Sequence, residues 1–191
     1  MSKVICIFGD SITWGAWDKE LGGWVNRLRL YFDNQNQETE IYNCGVDGDY
    51  VGDVLKRFNV EAQARNPQII VLAIGINDSP HSSNPNGTNL KELKTQYLEL
   101  IKKAKRFTQK IIILGPTNVD DNNEKGYKNE SIETVSGIIQ KLAEKQKLTF
   151  IDLFGILSID EFEDGLHPNS KGHQKIFEKV NEALKELSVD F

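Results

Sequence analysis

A chain of 191 residues with 39% hydrophobic and 27% charged side chains is long enough to enclose a core without disulfides or metal, and reads as one ordinary domain over residues 1–191. Its formal net charge of −5 argues against a surface built to hold nucleic-acid phosphates or anionic lipid. No apolar run approaches membrane-spanning length, and Met1-Ser2-Lys3 with five apolar residues after it is too short for a signal segment, so a cytoplasmic protein without a membrane span is expected.

In chain order, the first strand is predicted over Lys3–Phe8 and stops abruptly at Gly9-Asp10-Ser11-Ile12-Thr13. A second is expected over Glu40–Asn43, running into Cys44-Gly45, and a third over Gln68–Ile74, running into Gly75-Ile76-Asn77-Asp78. Ile69 to Ile74 is continuously apolar, the pattern of a parallel strand covered on both faces. Leu90, Leu93, Tyr97, Leu100, Ile101 and Ala104 then fall at helical spacing, with Lys102-Lys103-Ala104-Lys105-Arg106 read as that helix's solvated face. A fourth strand is predicted over Lys110–Leu114, followed by a helix whose stripe is Ile132, Val135, Ile138, Ile139 and Leu142. The fifth strand, Thr149–Ile151, precedes Asp164-Gly165-Leu166-His167-Pro168. A last helix, capped by Asn169 or Ser170, buries Ile176, Phe177, Val180, Leu184 and Leu187. Cys6 and Cys44 show neither metal nor disulfide spacing and read as small buried side chains.

Strands alternating with helices predict an α/β fold, a five-stranded parallel sheet with helices on both faces. In such sheets the ligand site lies outside the carboxyl ends of the strands. Ser11, Gly45, Asn77 and the Asp164–His167 turn all follow strands and converge there. A serine at the end of a strand is a candidate nucleophile only if a base takes its proton and an acid orients that base. His167, with Asp164 three residues before it, can supply both, whereas Asp10 and Asp78 read as carboxylates bonding nearby backbone N–H groups.

Gly9-Asp10-Ser11, Gly45, Gly75-Ile76-Asn77-Asp78 and Asp164-Gly165-Leu166-His167-Pro168 resemble, in order, the four blocks of the SGNH hydrolases, the GDSL esterases and lipases. The resemblance runs from the first strand to the last helix and implies a flavodoxin-like three-layer α/β/α sandwich. It implies a serine esterase in which Ser11 attacks an acyl carbonyl, His167 shuttles the proton and Asp164 orients His167. It also implies an oxyanion hole made of the Ser11 and Gly45 backbone N–H groups and the Asn77 side-chain amide, with Gly48 shaping the loop after Gly45. No cofactor and no metal are expected, and the partner is a small-molecule ester.

Trp14 and Trp17 either pack against the first helix or wall the substrate site, and Trp24 packs. His81 and His173 read as surface or packing residues, with His81 within possible reach of a ligand. The two longest loops, from Asn77 to Asn89 and from Pro116 to about Asn129, are polar and carry no apolar lid, which favours short acyl esters. Two other readings stay open: an acyltransferase with a sugar or alcohol acceptor, and a non-catalytic flavodoxin-like binding module. The second lacks a phosphate-cradling glycine loop after any strand.

Overall fold

The computed structural model describes residues 3–35 and 38–186. Five strands, β1 (Lys3–Gly9), β2 (Thr39–Gly45), β3 (Ile69–Ala73), β4 (Ile111–Leu114) and β5 (Thr149–Ile151), form one parallel sheet in the order β2-β1-β3-β4-β5. The helices are α1 (Ser11–Trp14), α2 (Trp24–Asn34), α3 (Val51–Arg65), α4 (Leu90–Ala104), α5 (Asn129–Lys145) and α6 (Ser170–Glu186). Among the described residues no helix is long and apolar enough to cross a membrane.

The period of two along each strand divides the core into two layers. Ile5, Ile7, Ile69, Val71, Ile112 and Leu114 pack with Trp24, Leu28 and Phe32 of α2 and Ile176, Val180 and Leu184 of α6. The intervening Cys6, Phe8, Ile70, Leu72, Ile111 and Ile113 face α3, α4 and α5. Both faces of β1, β3 and β4 are therefore dry, which is why these strands read as unbroken apolar runs. This is the flavodoxin-like sandwich expected from the sequence. The two cysteines are buried and free. Leu187, placed in the α6 stripe from sequence, lies outside the described residues, and Leu90, the first residue of α4, is exposed rather than in its stripe.

The strand order puts β1 between β2 and β3, so the chain leaves β1 on one side of the sheet and returns into β3 from the other. The crevice at that reversal is where open α/β sheets bind ligands. Ser11 follows β1 and Asn77 follows β3, one on each side of it. β2 runs two residues past its predicted end, and its register pairs Gly45 with Gly9. Gly45 is thus the last residue of the strand, not the start of the loop.

Two buried carboxylates sit at these strand ends. Asp10 caps α1, its Oδ1 accepting the Ile12 N–H at 3.0 Å. Asp78 accepts from the Val51 N–H at 3.1 Å and from the Thr88 hydroxyl at 2.6 Å. Burial, with the neighbouring Asp78 charge, pushes Asp10 up to about 7. Burial likewise pushes Asp78 up to about 6, against the two hydrogen bonds it accepts.

In the unfolded chain Asp10 ionises in the ordinary carboxylate range, so between there and about 7 the folded state holds the extra proton. Stability contributed this way is present at low pH and falls as pH rises through that window. Asp10→Asn, which keeps a capping oxygen, removes the effect. Its Tm relative to wild type, measured calorimetrically, should be higher at pH 8 than at pH 4 by roughly 10 °C. Any fixed cost of the extra amide hydrogens is common to both pH values and cancels.

Candidate active site

The Ser11 turn is built by exclusion. A Cβ on Gly9 would overlap the Thr13 side chain and the Ala73 carbonyl, so glycine lets the end of β1 pass tightly under α1. The chain turns at once into the single helical turn of α1, and Gly15 ends it in the left-handed region (φ 103°). Ser11 is nearly buried on the first residue of that turn.

The second half of the site is a turn wound around one carboxylate. Asp164 Oδ1 accepts the backbone N–H groups of Leu166 at 3.1 Å and His167 at 2.8 Å. Gly165 takes φ 79°, and an antiparallel bridge between Phe162 and Pro168 closes the turn. The other oxygen, Oδ2, lies 2.8 Å from His167 Nδ1, and His167 Nε2 lies 3.0 Å from Ser11 Oγ. A carboxylate can only accept, so Nδ1 carries the proton and the Nε2 lone pair faces the serine hydroxyl.

Partial burial alone would raise Asp164, but the hydrogen bonds from His167 and Leu166 outweigh it and hold the carboxyl at about 2. Lys125 Nζ also stands 3.3 Å from Asp164 Oδ2, across a half-exposed gap. The arrangement can pass a proton from Ser11 to His167 while a permanently charged carboxylate faces the far ring nitrogen.

The oxyanion donors need a correction. The Gly45 N–H is already spent on Asn43 Oδ1 at 2.9 Å, and Asn43 Nδ2 donates onward to the carbonyls of Thr13 and Trp14. A Cβ on Gly45 would overlap the Trp14 backbone nitrogen, so its glycine serves to seat α1 against the end of β2. Gly48, three residues on, lines the cleft with Ser11, Asn77 and His167. Its φ is 78°, open space lies where a Cβ would point, and no acceptor among the described residues takes its N–H. The Ser11 N–H is equally uncommitted. Asn77 does sit at the cleft, with Oδ1 accepting the Tyr127 hydroxyl at 2.7 Å and Nδ2 donating to the Asp49 carbonyl at 2.9 Å.

The cleft itself encloses about 390 Å³. Its walls come from the two long loops and the turn after β2: Asp47, Ser82, Ser83, Glu124 and Lys125 surround the reacting groups. His81 belongs to it as well, stacked on Tyr127 at 4.5 Å and 10° between ring planes. His81 is therefore a cleft residue rather than a surface one, and burial lowers its pKa.

His173 is a packing residue, fully buried, accepting the Trp24 N–H and donating to the Ala16 carbonyl. Trp14 and Trp17 meet neither expectation. They are 58% and 50% exposed and do not line the cleft, because the turn that buries Ser11, Ile12, Thr13 and Ala16 leaves these two side chains on its outer side. Tyr127 was missed in the sequence, although it is the lone aromatic of a polar loop.

The model of the GDSL-like lipase/acylhydrolase family matches residues 7–175. An arylesterase of Vibrio mimicus is 23% identical over 187 residues, covering 96% of this chain and 88% of the relative. Among solved structures, a lipase/acylhydrolase from Enterococcus faecalis superposes with a TM-score of 0.81 at 23% identity, covering 96% of each chain. An acetyl xylan esterase, AlAXEase, gives 0.79 at 25% identity over 95% of this chain and 99% of that one. With the family model running from the end of β1 through the other four strands and both the Ser11 and His167 turns, the chain belongs to the GDSL-like lipase/acylhydrolase family and is a carboxylic ester hydrolase.

Proposed function

We propose that the chain is a serine esterase that cleaves short-chain acyl esters through an acyl-enzyme on Ser11. The observation that carries this reading is the unbroken line Ser11 Oγ, His167 Nε2, His167 Nδ1, Asp164 Oδ2, with 3.0 and 2.8 Å at its two links. His167 takes the Ser11 proton as Oγ attacks the carbonyl carbon, and returns it to the departing alcohol. Water then attacks the acyl-enzyme with the same histidine as base. The growing imidazolium charge is met by Asp164, ionised at every working pH.

The negative oxygen of the tetrahedral intermediate is met by three donors in this reading: the N–H of Ser11, the N–H of Gly48 and the remaining N–H of Asn77. Gly48 replaces Gly45 because only the former faces the cleft with its N–H unspent. Two features support small, polar substrates. The cleft walls carry hydroxyl, carboxylate and ammonium groups with one aliphatic residue, Leu166, among them. AlAXEase, by its name, removes acetyl groups from a sugar polymer, and an acetylated carbohydrate suits these walls better than a lipid.

Ser11→Ala should lower kcat/KM on p-nitrophenyl acetate by about 10³-fold or more and abolish covalent labelling by a fluorophosphonate. Equal turnover and labelling in both proteins would overturn the reading. On the wild type, kcat/KM should be higher for acetyl and butyryl than for decanoyl esters, and the reverse order would remove the short-chain assignment. Because Asp164 keeps its charge down to about 2, its protonation should contribute nothing to the acid limb of kcat/KM above pH 4, where the buried Asp10 and Asp78 also change charge. A protonated-carboxyl band above pH 4 in infrared difference spectra of wild type that is missing from Asp164→Asn would show that Asp164 titrates in that range instead.

A further inference from the structure

The Asn77 amide is held at both ends. A main-chain carbonyl can only accept, so the 2.9 Å contact with the Asp49 carbonyl fixes the nitrogen end. The oxygen end then faces Tyr127, whose hydroxyl donates at 2.7 Å from a ring that is 4% exposed. One amide N–H remains, on a side chain lining the cleft beside Ser11 and His167.

Tyr127 is itself braced on three sides. Its N–H donates to Asn123 Oδ1 at 3.1 Å and its carbonyl accepts from Asn123 Nδ2 at 2.9 Å. Its ring lies flat on His81, whose Nε2 meets the Tyr50 hydroxyl at 3.1 Å. Burial pushes the Tyr127 hydroxyl far above the ordinary phenol range, so it stays a donor throughout.

We propose that Tyr127 is a positioning residue for ester hydrolysis: its hydroxyl pins the Asn77 amide in the orientation that presents an N–H to the oxyanion. The proposal rests on the reading of Asn77 as a donor to that oxygen. Without the hydroxyl, a nearly buried amide oxygen has lost its donor and gains by turning toward another one. Any such turn carries the N–H away from the reacting oxygen or brings the amide dipole round to oppose its charge. The effect should fall on the transition state, because the ester carbonyl carries little charge before attack.

The test is a double-mutant cycle on p-nitrophenyl acetate with wild type, Tyr127→Phe, Asn77→Ala and the double variant. Rates are expressed per serine labelled by fluorophosphonate at end point, so a partly unfolded preparation does not imitate a catalytic loss. Tyr127→Phe should lower kcat about tenfold, less than the about 10²–10³ of losing a donor outright, with KM within about twofold. In the Asn77→Ala background the same substitution should change kcat by less than about twofold. An equal loss in both backgrounds, a loss confined to KM, or an unchanged kcat in Tyr127→Phe would overturn the proposal while leaving the serine-esterase reading in place. Wild type that turns over ester without labelling at Ser11 would instead overturn that reading, and this inference with it.

Discussion

The site hangs from the guanidinium of Arg57. Its Nη2 donates to the Cys44 carbonyl at 2.8 Å and the Gly9 carbonyl at 3.2 Å, at the ends of the paired strands β2 and β1. Its Nε donates to Asp49 Oδ2 at 2.7 Å, and its Nη1 to Glu61 Oε1 at 2.8 Å. The Gly9 carbonyl also accepts the Val46 N–H at 3.1 Å, and both carbonyls lie where the chain must turn into loops at the cleft. Binding the Cys44 carbonyl orients the next peptide, so the Gly45 N–H points the other way, into Asn43. Binding Asp49 fixes the residue whose carbonyl holds Asn77. Only a planar side chain with five donors spans these acceptors at once; an ammonium would satisfy some and leave the others unmet. Asp49 and Glu61 pair with it, Glu61 being shared with Arg65 at 3.7 Å, so two segments that carry proposed catalytic groups, and through Asp49 a third, share one half-buried, charge-paired anchor.

Around that anchor the fold uses two aspartates in opposite ways. Asp10, directly before Ser11, lies in a dry layer with another carboxylate near it, and favours its neutral form. Asp164 is less buried and accepts two backbone N–H groups as well as the imidazole, and favours its charged form. Stabilising an imidazolium requires charge, so environment alone disqualifies Asp10 as the acid partner and suits Asp164 to it. Lys125 pulls on the same Asp164 oxygen as His167 and helps keep it ionised, but its exposure lets solvent screen the pull.

The strand and helix pattern was legible because each layer of the core writes its own periodicity into the chain. The Ser11, Asp164 and His167 positions were legible because each follows a strand within a compact motif. Other features were not, for reasons that are geometric. Gly45 lies two residues past a predicted strand end, but pairing with β1 carries the strand through it, and the first glycine at the cleft comes at Gly48. The Asp47-Gly48 pair, a turn dipeptide, was the available signal. Arg57 sits mid-helix among other charges, and nothing local says that it reaches carbonyls 13 and 48 residues away. The tryptophans misled because bulk and proximity to Ser11 suggest a wall, whereas the one-turn helix after Ser11 sends them outward.

That outcome bears on what the cleft can select. The aromatic rings near the reacting groups, Tyr127, His81 and Tyr50, stack and hydrogen-bond with one another rather than facing a ligand as an open apolar surface. Their area is spent on holding the loop after β3 to the loop after β4, and through Tyr127 on holding Asn77. Beside the His81 and Tyr127 ring edges and Leu166, the cleft offers a substrate the hydroxyl, carboxylate and ammonium groups of the surrounding loops. On the short-chain reading proposed above, a long acyl chain gains little from such walls, since its methylenes would displace water from groups they cannot bond. A short acyl group on a polar alcohol leaves those groups paired, with the alcohol or with the water it keeps. The rigidity that fixes the proposed donors and the polarity that suits the proposed substrate thus share one origin: the aromatic residues of the cleft wall are bonded to one another as a scaffold between loops.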